Sequence, residues 1–177
     1  MVREILLYWT RVLKRLDLTS KTIITKIEPG SCFVGFLAEL VFAADRSFMA
    51  EGNFEGQDVN EASLILTAAN FGRHPMSNQL SRLGTRFLAD PLWEDALKPT
   101  IGLTLSTKAS DDLGLITAIY DEIDWEEEIR LFLEERVSFS PDALTGLEAN
   151  TRFAGPETME TKIFGRLTAW QNWIFQR

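Results

Sequence analysis

The sequence predicts an α/β fold in which short strands alternate with short helices and give way, past residue 120, to a helical C-terminal region. Three observations predict it. The runs Thr22 to Ile27, Ser63 to Ala69, Ile101 to Leu105 and Leu115 to Tyr120 are short, apolar and partly β-branched, as buried strands are. Segments of helical composition or periodicity lie between them, at 37–44, 77–88 and 108–113. From Asp124 onward the pattern is almost wholly helical. The 177 residues, 45% hydrophobic and 25% charged, suffice for one ordinary core or for part of a larger one.

Taken in order, Val2, Ile5, Leu6, Trp9, Leu13 and Leu16 recur at three- and four-residue steps, with Arg3, Arg11, Lys14 and Arg15 largely on other faces. This predicts an amphipathic helix over 2–17 with a solvated basic face. The strand from Thr22 must stop at Glu28-Pro29-Gly30, because Pro29 has no N–H for a ladder. Residues 37–44 hold strong helix formers and almost no polar group, which predicts a short helix buried nearly all round. Glu39 is its exception, and a carboxylate there must be paired, hydrogen-bonded or protonated.

The chain turns polar from Ala50 to Asn60, a surface loop carrying Glu51, Glu55 and Asp58 and followed at once by Glu61. Leu80, Leu83, Phe87 and Leu88 set the helix at 77–88, and Pro91 is expected to stop the segment after it. Asp121 to Glu135 contains eight carboxylates, but they lack the spacing of a calcium loop, and Ile129, Leu131, Phe132 and Leu133 make them the acidic face of a helix. Ser140-Pro141 starts the next helix by capping. Gly155-Pro156-Glu157-Thr158 starts the last one, whose apolar stripe includes Trp170 and Trp173 as packing or interface residues.

Composition excludes several chemistries. Lys and Arg number 18 against 26 for Asp and Glu, a net charge of −8 that repels a phosphate backbone, so nucleic acid is not an expected partner. One cysteine and one histidine leave no internal disulfide and no Cys/His zinc cluster, and they point to a reducing cytoplasm. Cys32 is expected to be a small buried apolar residue, and His74 to pack or cap locally. Charged residues interrupt the N-terminal apolar stretch and no long apolar run occurs, so neither a signal peptide nor a membrane partner is expected. What remains for catalysis is carboxylates and backbone amides, with no metal and no cofactor.

The segment from Glu28 to Asp45, with Gly35-Phe36-Leu37-Ala38-Glu39-Leu40 at its centre, resembles the strand, glycine turn and short helix of the crotonase (enoyl-CoA hydratase/isomerase) superfamily. Asn70-Phe71-Gly72-Arg73-His74-Pro75 with Arg82-Leu83, and then Lys108 to Ile116, match later superfamily segments in the right order. The resemblance implies a crotonase-like β-β-α superhelix, present in part over 1–120, followed by a helical region over 121–177. It also implies a coenzyme A thioester as substrate. The backbone amides of Gly35 and Phe36 would form half of an oxyanion hole, as amides at a helix start can. Glu39 would be the acid/base.

A narrower resemblance runs over nearly the whole chain. Glu28 to Phe36, Asn70 to Met76 and Ser138 to Arg177 are similar to the benzoyl-CoA-dihydrodiol lyases, also called 2,3-epoxybenzoyl-CoA dihydrolases. Members are much longer, and this sequence corresponds to their C-terminal portion. The implied reaction opens the ring of 2,3-epoxybenzoyl-CoA hydrolytically, cleaves a C–C bond and releases formate, in aerobic benzoate degradation. The implied partners are a second copy of the chain or the missing N-terminal half of the fold, which would bring the other oxyanion amide and most of the CoA-binding surface.

One position departs from the superfamily pattern. The second catalytic carboxylate is expected four residues before Gly72, where this chain has Ala68, and a methyl group moves no proton. Glu61 or a carboxylate of the 50–60 loop would have to replace it. The competing reading is a non-catalytic fragment of a split or decayed gene, kept as a binding or assembly partner.

Overall fold

The structure is a computed structural model that describes residues 1–152 and 157–175, without the side chain of Trp173. Its centre is a strand hidden in the sequence. Helix α1 (Val2–Asp17) precedes β1 (Ile24–Ile27), and after the Pro29-Gly30 turn the chain forms β2 (Phe33–Val34). A 3-10 turn at Gly35–Leu37 runs into α2 (Ala38–Ala43), which returns the chain to β3 (Arg46–Ala50). Strand β3 pairs parallel with β1, Ile24 opposite Arg46 and Ile27 opposite Met49. On its other side it pairs parallel with β6 (Ala118–Tyr120), Phe48 opposite Ala118. A middle strand of a parallel sheet is covered on both faces, and four of the five β3 residues are buried.

The second sheet carries the turn that matters for function. Strand β4 (Leu64–Ile65) lies parallel to β2 and antiparallel to β5 (Thr104–Leu105). Both sheets and α2 share one core of Ile27, Val41, Phe48, Met49, Leu64 and Leu83 among others.

Several elements are shorter than periodicity predicts. The strand expected through Ala69 ends at Ile65, because the Thr67 hydroxyl caps a 3-10 turn at Ala68–Asn70. The helix expected from Ser77 starts only at Arg82 as α3 (Arg82–Arg86). Gln79 adopts φ 69°, and the Ser81 hydroxyl accepts the Gly84 N–H at 2.8 Å, which fixes the cap there. Pro91 does not stop a helix but opens one, α4 (Pro91–Leu97), where its missing N–H costs nothing. Helix α5 (Thr107–Asp112) lies within a residue of its expected place.

The helical region is fastened to the sheet. Helix α6 (Glu122–Ser138) buries Trp125 and Ile129, and its Phe132 meets Phe48 edge-on at 5.7 Å between centroids. The Trp125 Nε1–H donates to Glu28 Oε1 at 2.9 Å. Helix α7 (Pro141–Thr151) is capped by Ser140 as expected, and carries the buried Glu148. That carboxylate accepts from Arg136 at 2.9 Å and from Arg152 at 2.7 Å, while Arg152 also donates to the Ala43 carbonyl at 3.1 Å. Thr158 caps α8 (Met159–Lys162), whose expected start at Gly155-Pro156 lies outside the described residues. A π-helical stretch, Ile163–Leu167, joins it to α9 (Thr168–Phe175). Trp170 packs over Gly146, where a Cβ would stand 3.7 Å from the indole, and the Trp173 side chain lies outside the described residues. Among the described residues, no helix is long and apolar enough to cross a membrane.

The ring contacts of Phe48 with Tyr120 and Phe132 join the parallel sheet to α6. Phe48→Ala is expected to cost about 3–5 kcal/mol in urea unfolding, as truncation of buried aromatics does. Ile123→Ala, at an 87% exposed position on the same helix, should stay within about 0.5 kcal/mol of the parent.

Candidate active site

The candidate site grows from Gly35. It takes φ +56°, a left-handed conformation that costs an L-residue about 1–2 kcal/mol, and a Cβ there would stand 3.1 Å from the Thr67 hydroxyl. This conformation turns the chain out of β2 and into the 3-10 turn. Gly35 is buried, whereas Phe36 is 41% exposed and lays its ring against Trp9 of α1, 4.9 Å between centroids. The Gly35 carbonyl accepts from the Ala38 N–H and, at 2.8 Å, from Asn70 Nδ2.

Glu39, one turn further on, is 2% exposed and both of its oxygens are engaged. Oε1 accepts from Asn70 Nδ2 at 2.7 Å and Oε2 from Arg82 Nη1 at 2.9 Å. The same Arg82 nitrogen donates to the His74 carbonyl at 3.0 Å. The other edge of the guanidinium grips Asp17, Nη2 to Oδ2 at 2.6 Å and Nε to Oδ1 at 3.2 Å. Asp17, Arg82, Glu39 and Asn70 are all buried, so this is a closed network of charge-assisted bonds.

With both carboxylates ionised, the three charged groups sum to −1 in a buried site. Burial pushes the Glu39 carboxyl up from its ordinary range, against the opposing pull of the Asn70 bond and Arg82. Burial raises Asp17 likewise, again opposed by Arg82. His74 is held low by burial and then by the cations Arg82 and Arg73. The Thr10 hydroxyl donates to the Leu6 carbonyl at 3.0 Å, so at 2.9 Å from His74 Nδ1 it acts as acceptor, which puts the ring proton on Nδ1. His74 therefore packs α1 onto the loop after Gly72.

The 3-10 turn at Ala68–Asn70 lies against the one at Gly35–Leu37, so Ala68 is brought to the site and is itself exposed. Glu61 is exposed ahead of β4. The 50–60 loop leans on the end of β6 and the start of α6: the Glu51 N–H donates to the Tyr120 carbonyl at 2.9 Å and the Glu55 N–H to Glu122 Oε1 at 2.7 Å. Cys32 corrects an expectation, since it is exposed: it lies on the turn before β2 and outside the strand that packs on the core. Three members of the network are not assigned a role by sequence reasoning. Asn70 and Arg82 lie inside quoted motifs, and Asp17 looks like the end of an amphipathic helix. An acidic residue at a helix C-terminus opposes the helix dipole, and that is the one local signal Asp17 gives. Among the described residues, no group of three or more His, Cys, Asp or Glu side chains is arranged to hold a metal ion.

This architecture, parallel strands with a glycine turn feeding a short buried helix, is the crotonase fold. The enoyl-CoA hydratase of Bacillus anthracis matches with a TM-score of 0.71 at 16% identity, over 99% of this chain and 62% of that one. An enoyl-CoA hydratase/isomerase of Cupriavidus metallidurans CH34 matches with a TM-score of 0.65 at 15% identity, over 99% and 60%. In sequence the chain is 51% identical over 99% of its length to benzoyl-CoA-dihydrodiol lyase of Aromatoleum evansii, and it spans 31% of that protein. No family model matches the chain.

Removing the cation from the network leaves two carboxylates buried without it, so Arg82→Met should destabilise by about 3–5 kcal/mol in chemical unfolding. The pH dependence has a defined sign. Raised carboxyls at Asp17 and Glu39 mean that the folded chain holds more protons than the unfolded one above the ordinary values of 3.8 and 4.5. Their contribution to stability is full below those values and is lost as pH rises through the folded ones. His74 acts oppositely, its contribution present above 6.5 and lost as pH falls toward its lowered value. Subtracting the thermal melting profile of Glu39→Gln from that of the parent should therefore expose a component that falls with rising pH.

Proposed function

We propose that this chain is the part of a benzoyl-CoA-dihydrodiol lyase that receives the thioester end of 2,3-epoxybenzoyl-CoA. The observation that carries the reading is the 51% identity to that lyase over 99% of the chain. In this reading the amides of Gly35 and Phe36 supply half of an oxyanion hole. Charge that develops on the thioester oxygen is met by donors already in place, which is where amides contribute most. Glu39 is the acid/base. Burial pushes its carboxyl up from the ordinary range, against the Asn70 bond and Arg82, which hold it down.

The reaction is the hydrolytic opening of the epoxide-bearing ring with C–C cleavage, giving an aliphatic aldehyde CoA ester and formate. It belongs to aerobic benzoate degradation in the cytoplasm, and the chain's own part in it uses neither metal nor redox cofactor. The second oxyanion amide and most of the CoA surface come from polypeptide outside this chain, either the remainder of the fold or a second copy. A carboxylate replacing Ala68 comes from the same source, or from Glu61 or the 50–60 loop, whose carboxylates are exposed.

The test is formate release from 2,3-epoxybenzoyl-CoA by this chain, alone and when it replaces the matching stretch of the Aromatoleum evansii enzyme. Activity in the chimera and its loss in Glu39→Gln, by about a hundredfold or more, is the expected result. A chimera that folds, binds the thioester and releases no formate overturns the reading.

A further inference from the structure

We propose that Asn70 is a positioning residue that holds the Gly35–Phe36 peptide in the orientation an oxyanion donor needs, and that it carries the buried Asp17–Arg82–Glu39 network to that peptide. The proposal rests on the reading of Gly35 and Phe36 given above. Its basis is a property of the peptide unit. The Gly35 carbonyl and the Phe36 N–H belong to one planar trans group, so fixing the direction of the C=O fixes the N–H in the opposite direction. Asn70 Nδ2 fixes that carbonyl from 2.8 Å, beside the Ala38 N–H. The Ala38 N–H holds this carbonyl within the 3-10 turn, and Asn70 adds a second, side-chain bond that narrows the swing a left-handed glycine allows.

Asn70 is itself fully committed. One Nδ2 hydrogen goes to the Gly35 carbonyl and the other to Glu39 Oε1 at 2.7 Å, while Oδ1 accepts the Thr67 N–H at 2.9 Å. Two acceptors face the nitrogen and one donor faces the oxygen, so the amide cannot be turned over without breaking all three bonds. Asn70 is 1% exposed, which shields these contacts from solvent. The direction of donation matters as well. The Thr67 N–H bond to Oδ1 polarises the Asn70 amide and strengthens donation from Nδ2, and a carbonyl that accepts a strong bond leaves its peptide N–H a better donor. Glu39, itself held by Arg82 and Asp17, fixes the orientation of the Asn70 amide, and through it that of the Gly35–Phe36 peptide.

The experiment uses the full chain labelled with 13C and 15N, and benzoyl-CoA carrying 13C at the thioester carbonyl. In Asn70→Leu, the Gly35 carbonyl carbon should move upfield and the Phe36 amide should shift, with the remaining spectrum that of a folded chain. A folded Asn70→Leu whose Gly35 and Phe36 signals stay in place overturns the proposal. If the leucine variant fails to fold, Asn70→Gln takes its place, with intermediate shifts expected and unchanged signals again decisive against it. On the thioester, infrared spectroscopy should show a carbonyl stretch lowered by the parent and lowered less by Asn70→Leu, at similar affinity. In turnover of 2,3-epoxybenzoyl-CoA by the chimera described above, kcat should fall about tenfold to a hundredfold in Asn70→Leu while KM changes little, less than the loss expected from deleting a donor outright. Equal stretches in bound parent and variant overturn the positioning role. Peptide signals that move in a chain binding no thioester instead overturn the function reading and leave Asn70 holding the peptide.

Discussion

The guanidinium of Arg82 joins α1, α2 and the loop after Gly72 to the start of α3. It binds Asp17 at the end of α1, Glu39 on α2 and the carbonyl of His74, and it stands itself at the first position of α3. A buried charge of this kind stabilises little on balance, because desolvation consumes most of the Coulombic gain. What it confers is exclusivity. A chain in which any of the four segments is misplaced leaves an ion without its partner in an apolar interior, so the arrangement discriminates against near-native alternatives more than it deepens the native state.

That constraint reaches the glycine turn through short, directed steps. Glu39 cannot leave α2, and Asn70 must then face it from the 3-10 turn that Thr67 caps. Asn70 closes on the Gly35 carbonyl, and Gly35 sits where β2 ends against β4. The site is thus held by the ends of regular elements, in places where main-chain groups would otherwise lack partners. The second ionic group, Glu148 with Arg136, Arg152 and Asp45, performs the same service for the helical region: it anchors α7 to α6 and to the far end of α2.

Much of this is legible in the residues. Helix α1 shows its period over sixteen residues, and the Ser140-Pro141 start of α7 shows its cap, because both signals are local. Gly35, Phe36 and Glu39 are grouped by the resemblance to the crotonase segment, and of the three only Glu39 stands out by itself, as the one carboxylate in an apolar helix. Strand β3 is not legible, since a strand covered on both faces has no alternation to read. The helix expected from Ser77 fails because Leu80 fits the helical period while Gln79 does not fit the helical backbone. The shared fate of Asp17, Arg82 and Asn70 cannot be read either. Separations of 65 residues between Asp17 and Arg82 and 31 between Glu39 and Asn70 carry no periodic trace, and only the folded chain brings them together.

The π-helical stretch at Ile163–Leu167 has its own significance. Its wider turn is marked by the Thr168 N–H, which donates to the Ile163 carbonyl five residues earlier, and the Thr168 hydroxyl donates to the same carbonyl at 2.8 Å. Each such turn takes up one residue beyond the α-helical count, and so rotates everything after it by about a hundred degrees relative to a plain helix. Trp170 reaches Gly146 in that rotated frame. The terminal helix can therefore be regarded as two faces spliced at an inserted residue, and an alignment that forces this segment to a continuous 3.6-residue period will set the wrong side of it against α7.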